Sequence, residues 1–323
     1  MDIATRIAGF EESLAFTSRS ERLDPRSATR LHRGIYLPVE ISASLRPEDR
    51  HLARVLAVQE RAVGGPVFSH VSAAVLLGLP LHSGADGPVH LTTRVAGPNR
   101  RSPGIVRHRA PLAEHEVVEV CGLLCTSPDR TLLDLARFEP AETAISCADA
   151  FLRREFRVDR RIDHLRLECW RGGMLETLAR MPGERGVLRA QEVLELADPR
   201  TDSVLESVSH LYLRRLGFDV ELQVPVPSPT GGTYFVDFEF LGLGLFGECD
   251  GKAKYLDERL RGGNSADELV YREKRRENWI TGTTRNDMIR WGWPETATIH
   301  RFARHLSACR VRIPRRPGPP RPR

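Results

Sequence analysis

Cysteine is sparse, and nothing pairs it. The six cysteines of this 323-residue chain stand singly. The nearest two, Cys121 and Cys125, have no second pair or histidine cluster nearby in sequence, which excludes zinc-finger spacing and a disulfide framework. Free thiols in a reducing compartment are the reading this supports, and the chain reads as cytoplasmic. Long apolar runs are missing too. The most apolar stretch, "VSAAVLLGLPL", is too short to span a bilayer, so no membrane association is expected. The N-terminal "MDIATRIAGFEE" has no apolar core of the kind a signal peptide needs. There is no internal repeat, no P-loop and no G-x-S-x-G. "GLGLFG" has glycines at dinucleotide-binding spacing, but it lies inside a strand pattern with no helix after it.

The composition is that of an ordinary globular chain, 41% hydrophobic and 28% charged, and the length fits two domains. The net charge of +5 is misleading. Six arginines and no acid lie in "RVRIPRRPGPPRPR", so residues 1–309 sum to near −1. Five prolines and few apolar residues mark 310–323 as a disordered basic tail.

The pattern along the chain is α+β and multidomain. Residues 1–40 hold one weak helix, then "RSATRLHRGIYLPV", which reads as a short basic helix, a stop at Gly34 and a β-branched strand. Residues 41–157 mix short elements: a helix in "FSHVSAAVLLGLPL", strands in "GPVHLTT" and "GIVRHRAPL", and a helix in "TSPDRTLLDLARF" capped by Ser127 with Pro128 in its first turn. Residues 158–200 read as a helical bridge. From 201 to 309 the order is α-β-β-β-α-β-α, beginning with "SVLESVSHLYLRRLG".

The last region carries the chemistry. In "YFVDFEF" alternation puts Tyr234, Val236, Phe238 and Phe240 on one apolar face and Asp237 and Glu239 on the other. In "LGLFGECDG" Glu248 and Asp250 share a face. If these strands are hairpin neighbours, Asp237 and Glu248 can hold one Mg²⁺, which takes hard oxygen ligands from one or two carboxylates. Glu206, at the margin of the preceding helix's apolar arc, is a third acid within reach. Lys252 or Lys254 can orient a water or stabilise developing charge. The same residues also fit a half-buried sheet with a polar outer face and an Asp-Gly turn.

"SVLESVSHLYLRRLGF", "VDFEF", "GECDGKAKY" and "REKRRENWI" followed by "MIRWGW" together resemble the PD-(D/E)XK restriction-endonuclease-like superfamily, and more closely its very-short-patch-repair-like members. The resemblance implies an αβββαβ endonuclease-like domain, metal ligands Asp237 and Glu248, an accessory Glu206, and Mg²⁺ as cofactor. Asp250 stands where the family's motif lysine belongs, which leaves Lys252 or Lys254 to replace it. "LHRGIYLPV", "FSHVSAAVLLGLPL", "PVHLTT", "TSPDRTLLDLARF" and "CADAFLRREF" resemble actinobacterial AbiEi-type antitoxins. That resemblance implies a winged-helix-like N-terminus and a toxin–antitoxin role beside a nucleotidyltransferase-like toxin. It also implies DNA contacts from Arg26, Arg30 and Arg33. Arg272, Lys274, Arg275 and Arg276 offer a phosphate grip near the carboxylates, or else a salt-bridged surface with Glu268, Glu273 and Glu277. His70 and His108, each alone beside apolar residues, read as structural.

Overall fold

The computed structural model describes residues 3–7, 28–62, 64–83, 85–93, 100–250 and 266–314. The chain separates into two units, Met1–Ala197 and Asp198–Arg323. Both combine helices with sheet. No helix among the described residues is long and apolar enough to cross a membrane.

In the first unit the expected basic helix is a strand instead. Ala28–His32 (β1) pairs antiparallel with Ile35–Pro38 (β2). Gly34, at φ +77°, takes the left-handed conformation of the turn, which a side chain rarely adopts. Ile35 and Leu37 are buried at alternate positions of β2, and β1 is held against it by a ladder running from Ala28–Pro38 to His32–Ile35, an extended pairing that a helix cannot make. Arg30 is exposed on β1 and Arg33 is exposed in the turn, so neither lies on a recognition helix. Arg26 lies outside the described residues.

Two helices follow, Val39–Ser44 (α1) and Pro47–Gln59 (α2). The six-stranded sheet is built from Val67–Phe68 (β3), Val89–Thr93 (β4), Arg100–Ser102 (β5), Ile105–Arg109 (β6), Val117–Val120 (β7) and Leu123–Thr126 (β8). Their order is β5-β6-β4-β3-β8-β7. The β4–β6 and β3–β8 pairs are parallel. His70–Leu76 (α3), buried throughout, starts directly after β3. Pro128–Phe138 (α4) begins as its sequence predicts: Ser127 Oγ accepts from Arg130 N, with Pro128 at the first position. Ala141–Phe156 (α5) and the small hairpin Arg157–Val158 (β9) with Arg161–Ile162 (β10) come next.

His164–Ala179 (α6) and Val187–Leu196 (α7) were expected to bridge two domains. They belong to the first unit, where both pack against α5 and α7 also lies on α4. Arg189 Nε donates to Ala136 O at 3.0 Å and Trp170 Nε1 to Asp129 Oδ1 at 2.8 Å. Gly186, at φ +82°, lies so close to α4 that an added Cβ would meet Arg137 O at 2.1 Å.

The second unit opens with Val204–Arg215 (α8) and a meander of Val220–Pro227 (β11), Thr233–Phe240 (β12) and Leu245–Cys249 (β13). Ala266–Thr284 (α9) leads to Asp287–Trp291 (β14), which pairs parallel to β13. Trp293–Thr296 (α10) and Ile299–Ala308 (α11) close the unit. The sheet order is β11-β12-β13-β14. The single apolar face expected on β12 divides in two. Val236 packs with Val226, Phe246 and Ile280, flanked by Tyr234. Phe238 and Phe240 meet the Trp291 ring instead. The division falls opposite Gln223, whose φ of +51° interrupts the pleat of β11. Gly247 leaves room for the Trp291 indole, since a Cβ there would lie 2.2 Å from the ring.

Candidate functional site

Acidic residues from three elements converge on the β11–β13 part of the second sheet. Glu206 stands in the first turn of α8. Ser203 caps that helix by accepting from Glu206 N at 3.2 Å, and Ser203 Oγ donates back to Glu206 Oε1 at 2.8 Å. Asp202 N donates to Glu206 Oε2 at 2.8 Å. This is a variant of the S-x-x-E capping box, in which the glutamate takes the backbone N–H of the residue before the cap and not that of the cap itself. Glu206 is therefore buried, 6% exposed, and not at a solvated margin. Gln223 Nε2 joins two acids, donating to Glu206 Oε2 at 3.0 Å and to Asp237 Oδ1 at 3.2 Å. The other Asp237 oxygen accepts Cys249 N–H at 2.8 Å.

Glu248 comes from the neighbouring strand. Phe238 pairs with Gly247, so the next step along the ladder sets Asp237 against Glu248. Glu248 is 5% exposed and both of its oxygens are held: Oε1 by Arg276 Nη1 at 2.7 Å, Oε2 by Arg290 Nη2 at 2.8 Å. Arg290 is the parallel-register partner of Glu248 on β14. Arg276 descends from α9 and also donates to Glu273 and to Phe235 O. Arg290 reaches Glu273 at 2.8 Å, Glu277 at 3.1 Å and Asp250 at 3.3 Å.

Burial lifts the Glu248 carboxyl above its ordinary range, against the pull of Arg276 and Arg290 and with a further push from the Asp237 charge. Burial works to lower Arg290, but Glu273, Glu248 and Asp250 outweigh it and keep that guanidinium protonated. An ion pair taken out of water needs such extra hydrogen bonds to offset desolvation. Hard oxygen donors on adjacent strands are a set that magnesium accepts. For Glu248 to ligate an ion, one of its oxygens must be released by an arginine.

The remaining expected residues are dispersed. Asp250 is half-exposed and paired to Arg290. Lys252 and Lys254 lie outside the described residues. Arg272, Lys274 and Arg275 are exposed on α9, near the exposed rings of Tyr271 and Trp279 on the same helix. Arg276 departs from its expected phosphate-gripping role, because its donors go to Glu248, Glu273 and Phe235 O. Gln223, Arg290 and Ser203 were not singled out from sequence. The S-x-x-E spacing announced Ser203; nothing local announced the other two.

No family model matches this chain and no solved structure matches it. Two uncharacterized proteins from two strains of Mycobacterium tuberculosis are each 29% identical to it over 172 residues, covering 49% of this chain. The chain spans 59% of the length of these relatives.

Proposed function

We propose that the second unit is an endonuclease-like DNA-binding domain whose metal-holding pair is Asp237 and Glu248. The observation that supports this most directly is the placement of Asp237. It is fixed by Cys249 N–H and Gln223, stands one ladder step from the Phe238–Gly247 pair, and is joined through Gln223 to Glu206. Magnesium bound there would polarise a phosphate and acidify a water. Glu206 and Gln223 orient Asp237. Arg276 and Arg290 hold Glu248 until an ion and a phosphate compete for them. Exposed Arg272, Lys274 and Arg275 supply backbone attraction, and Tyr271 and Trp279 offer faces for stacking on unpaired bases.

A second reading has its own observation. Because both Glu248 oxygens are taken by guanidiniums, the same unit can bind DNA without cutting it. The protein would then act as an AbiEi-like antitoxin and repressor, with Arg30 and Arg33 of the N-terminal hairpin also on DNA and a nucleotidyltransferase-like toxin as partner. Plasmid incubated with the protein and Mg²⁺ separates the two. Nicking that Asp237→Ala abolishes supports catalysis. A salt-sensitive gel shift without nicking supports the repressor, and the absence of both removes DNA from the account.

A further inference from the structure

A second constellation lies in the first unit, on a different sheet. His90 is on β4 and His108 on β6, and the parallel register, with Thr92 opposite His108, sets both imidazoles on one face. His90 Nδ1 and His108 Nε2 are 3.0 Å apart. His70, the first residue of α3, stacks on His108 with ring centroids 3.8 Å apart. One nitrogen from each of the three rings lies within 4.8 Å of the others. Tetrahedral zinc at 2.0–2.1 Å from each nitrogen sets its ligands roughly 3.4 Å apart; the nitrogens are already close, and the His70 ring, now stacked 12° from parallel on His108, must turn out of that stack for its lone pair to meet theirs on one ion.

The two nitrogens of His70 differ. Nδ1 has Ser69 Oγ at 3.1 Å and the Asp134 carboxylate at 3.9 Å. Nε2 is buried, in a side chain 2% exposed, and has no hydrogen-bond partner among the described residues. A buried ring nitrogen without a partner is costly in a folded protein. His70 also holds φ +52°, a left-handed conformation unfavourable for a side chain, so the backbone is strained where the ring is presented. Asp134, steadied by Arg130 at 3.1 Å, lies 3.9 Å from Nδ1, a short move from the hydrogen bond by which a carboxylate orients a metal-bound histidine.

We propose that His70 Nε2, His90 and His108 form a binding site for a zinc-class divalent ion, with Asp134 as the positioning residue behind His70. Three imidazoles suit zinc, cobalt or nickel and not magnesium. Three protein ligands leave a fourth position for water or an external donor. The site is independent of the carboxylates of the second unit.

The test is titration of chelator-treated full-length protein with Co²⁺, read by visible absorption and metal analysis. One cobalt per chain is expected on the histidines, with the intense d–d bands of a tetrahedral nitrogen site and no thiolate charge-transfer band; any cobalt on the carboxylates of the second unit is octahedral and weakly coloured, and is removed by Asp237→Ala. His90→Gln and His108→Gln, checked for folding by circular dichroism, should abolish the bands. Asp134→Asn should weaken affinity roughly tenfold. Asp237→Ala and His115→Ala should leave the spectrum intact. Failure of wild-type protein to take up one cobalt, a thiolate band, or a spectrum surviving in both folded glutamine variants overturns the proposal.

Discussion

The two units weight their buried polar groups differently, although each holds some of the other kind: Asp134 beside Arg130 in the first, His210 in the second. In the first, buried imidazoles carry the load: His51 is fully enclosed, with Ala85 O and Ser72 Oγ each at 2.9 Å, and His70 stacks on a neighbouring ring. In the second, carboxylates are buried and guanidiniums answer them. Neutral rings need only hydrogen bonds, whereas charges need partners of opposite sign. The second unit should therefore be fragile to loss of one guanidinium, and acid should act on the first through His51 and on the second through His210.

The largest effect expected is from Arg290→Ala. It leaves Glu248 buried with half its charge compensation and should cost about 3–5 kcal/mol, measured as loss of hydrogen-exchange protection in β13 and β14. The paired Glu248→Gln, Arg290→Met change should cost much less, because the unmatched charge is gone. If the single and double changes cost the same, charge burial does not distinguish the second unit.

Next comes Gly186→Ala in the first unit. Its Cβ would meet the backbone carbonyl of Arg137, which cannot rotate aside, at a φ unfavourable for alanine. About 3 kcal/mol of destabilisation is expected in urea unfolding. Gly247→Ala in the second unit meets the buried Trp291 ring, a side chain and not backbone, at a φ that alanine accepts, and should cost a similar or slightly smaller amount, roughly 1–3 kcal/mol.

Acid probes a feature the two units share. Burial depresses His51 to about 4, from an ordinary 6.5. The unfolded chain then binds the extra proton first. Stability from this group is complete above pH 6.5, falls as pH drops toward 4, and levels below that, by roughly 3 kcal/mol in all. His51→Gln should flatten this slope in the first unit. A slope unchanged in the variant removes His51 as its cause. His210 in the second unit is depressed to about 4 by burial as well, so its own slope should persist.

The smallest effect is from Ser203→Ala, which removes both the helix cap and a donor to Glu206. About 1–2 kcal/mol is expected, with altered placement of Glu206 read as a change in DNA affinity or nicking.

Local signals carried much of this. The order of elements from α8 onward followed from period and stop residues, and the α4 cap followed from Ser127 and Pro128. At the N-terminal hairpin the arginines of "RSATRLHRG" have helix-like spacing, and β1, with only Ala28 buried, carries no alternation that would show a strand. The alternation on β12 could not show that Gln223 on the partner strand would break the pleat. Arg276 looked like a surface cation, because its alignment with Glu248 depends on how α9 crosses the sheet. Arg290 depends on the parallel register of β14 beside β13, which no local sequence rule states. The histidines at 70, 90 and 108 are far apart in the chain, and only the β4–β6 register and the start of α3 gather them.

The space left by Gly247 has an optical consequence. The Trp291 indole fills it, is 2% exposed, and donates to Ser209 Oγ at 2.8 Å, whereas Trp279 and Trp293 face solvent. Its emission will lie to the blue of theirs. Solvent entering the sheet beside Cys249 will redden it, giving the second unit an intrinsic fluorescent gauge that needs no label.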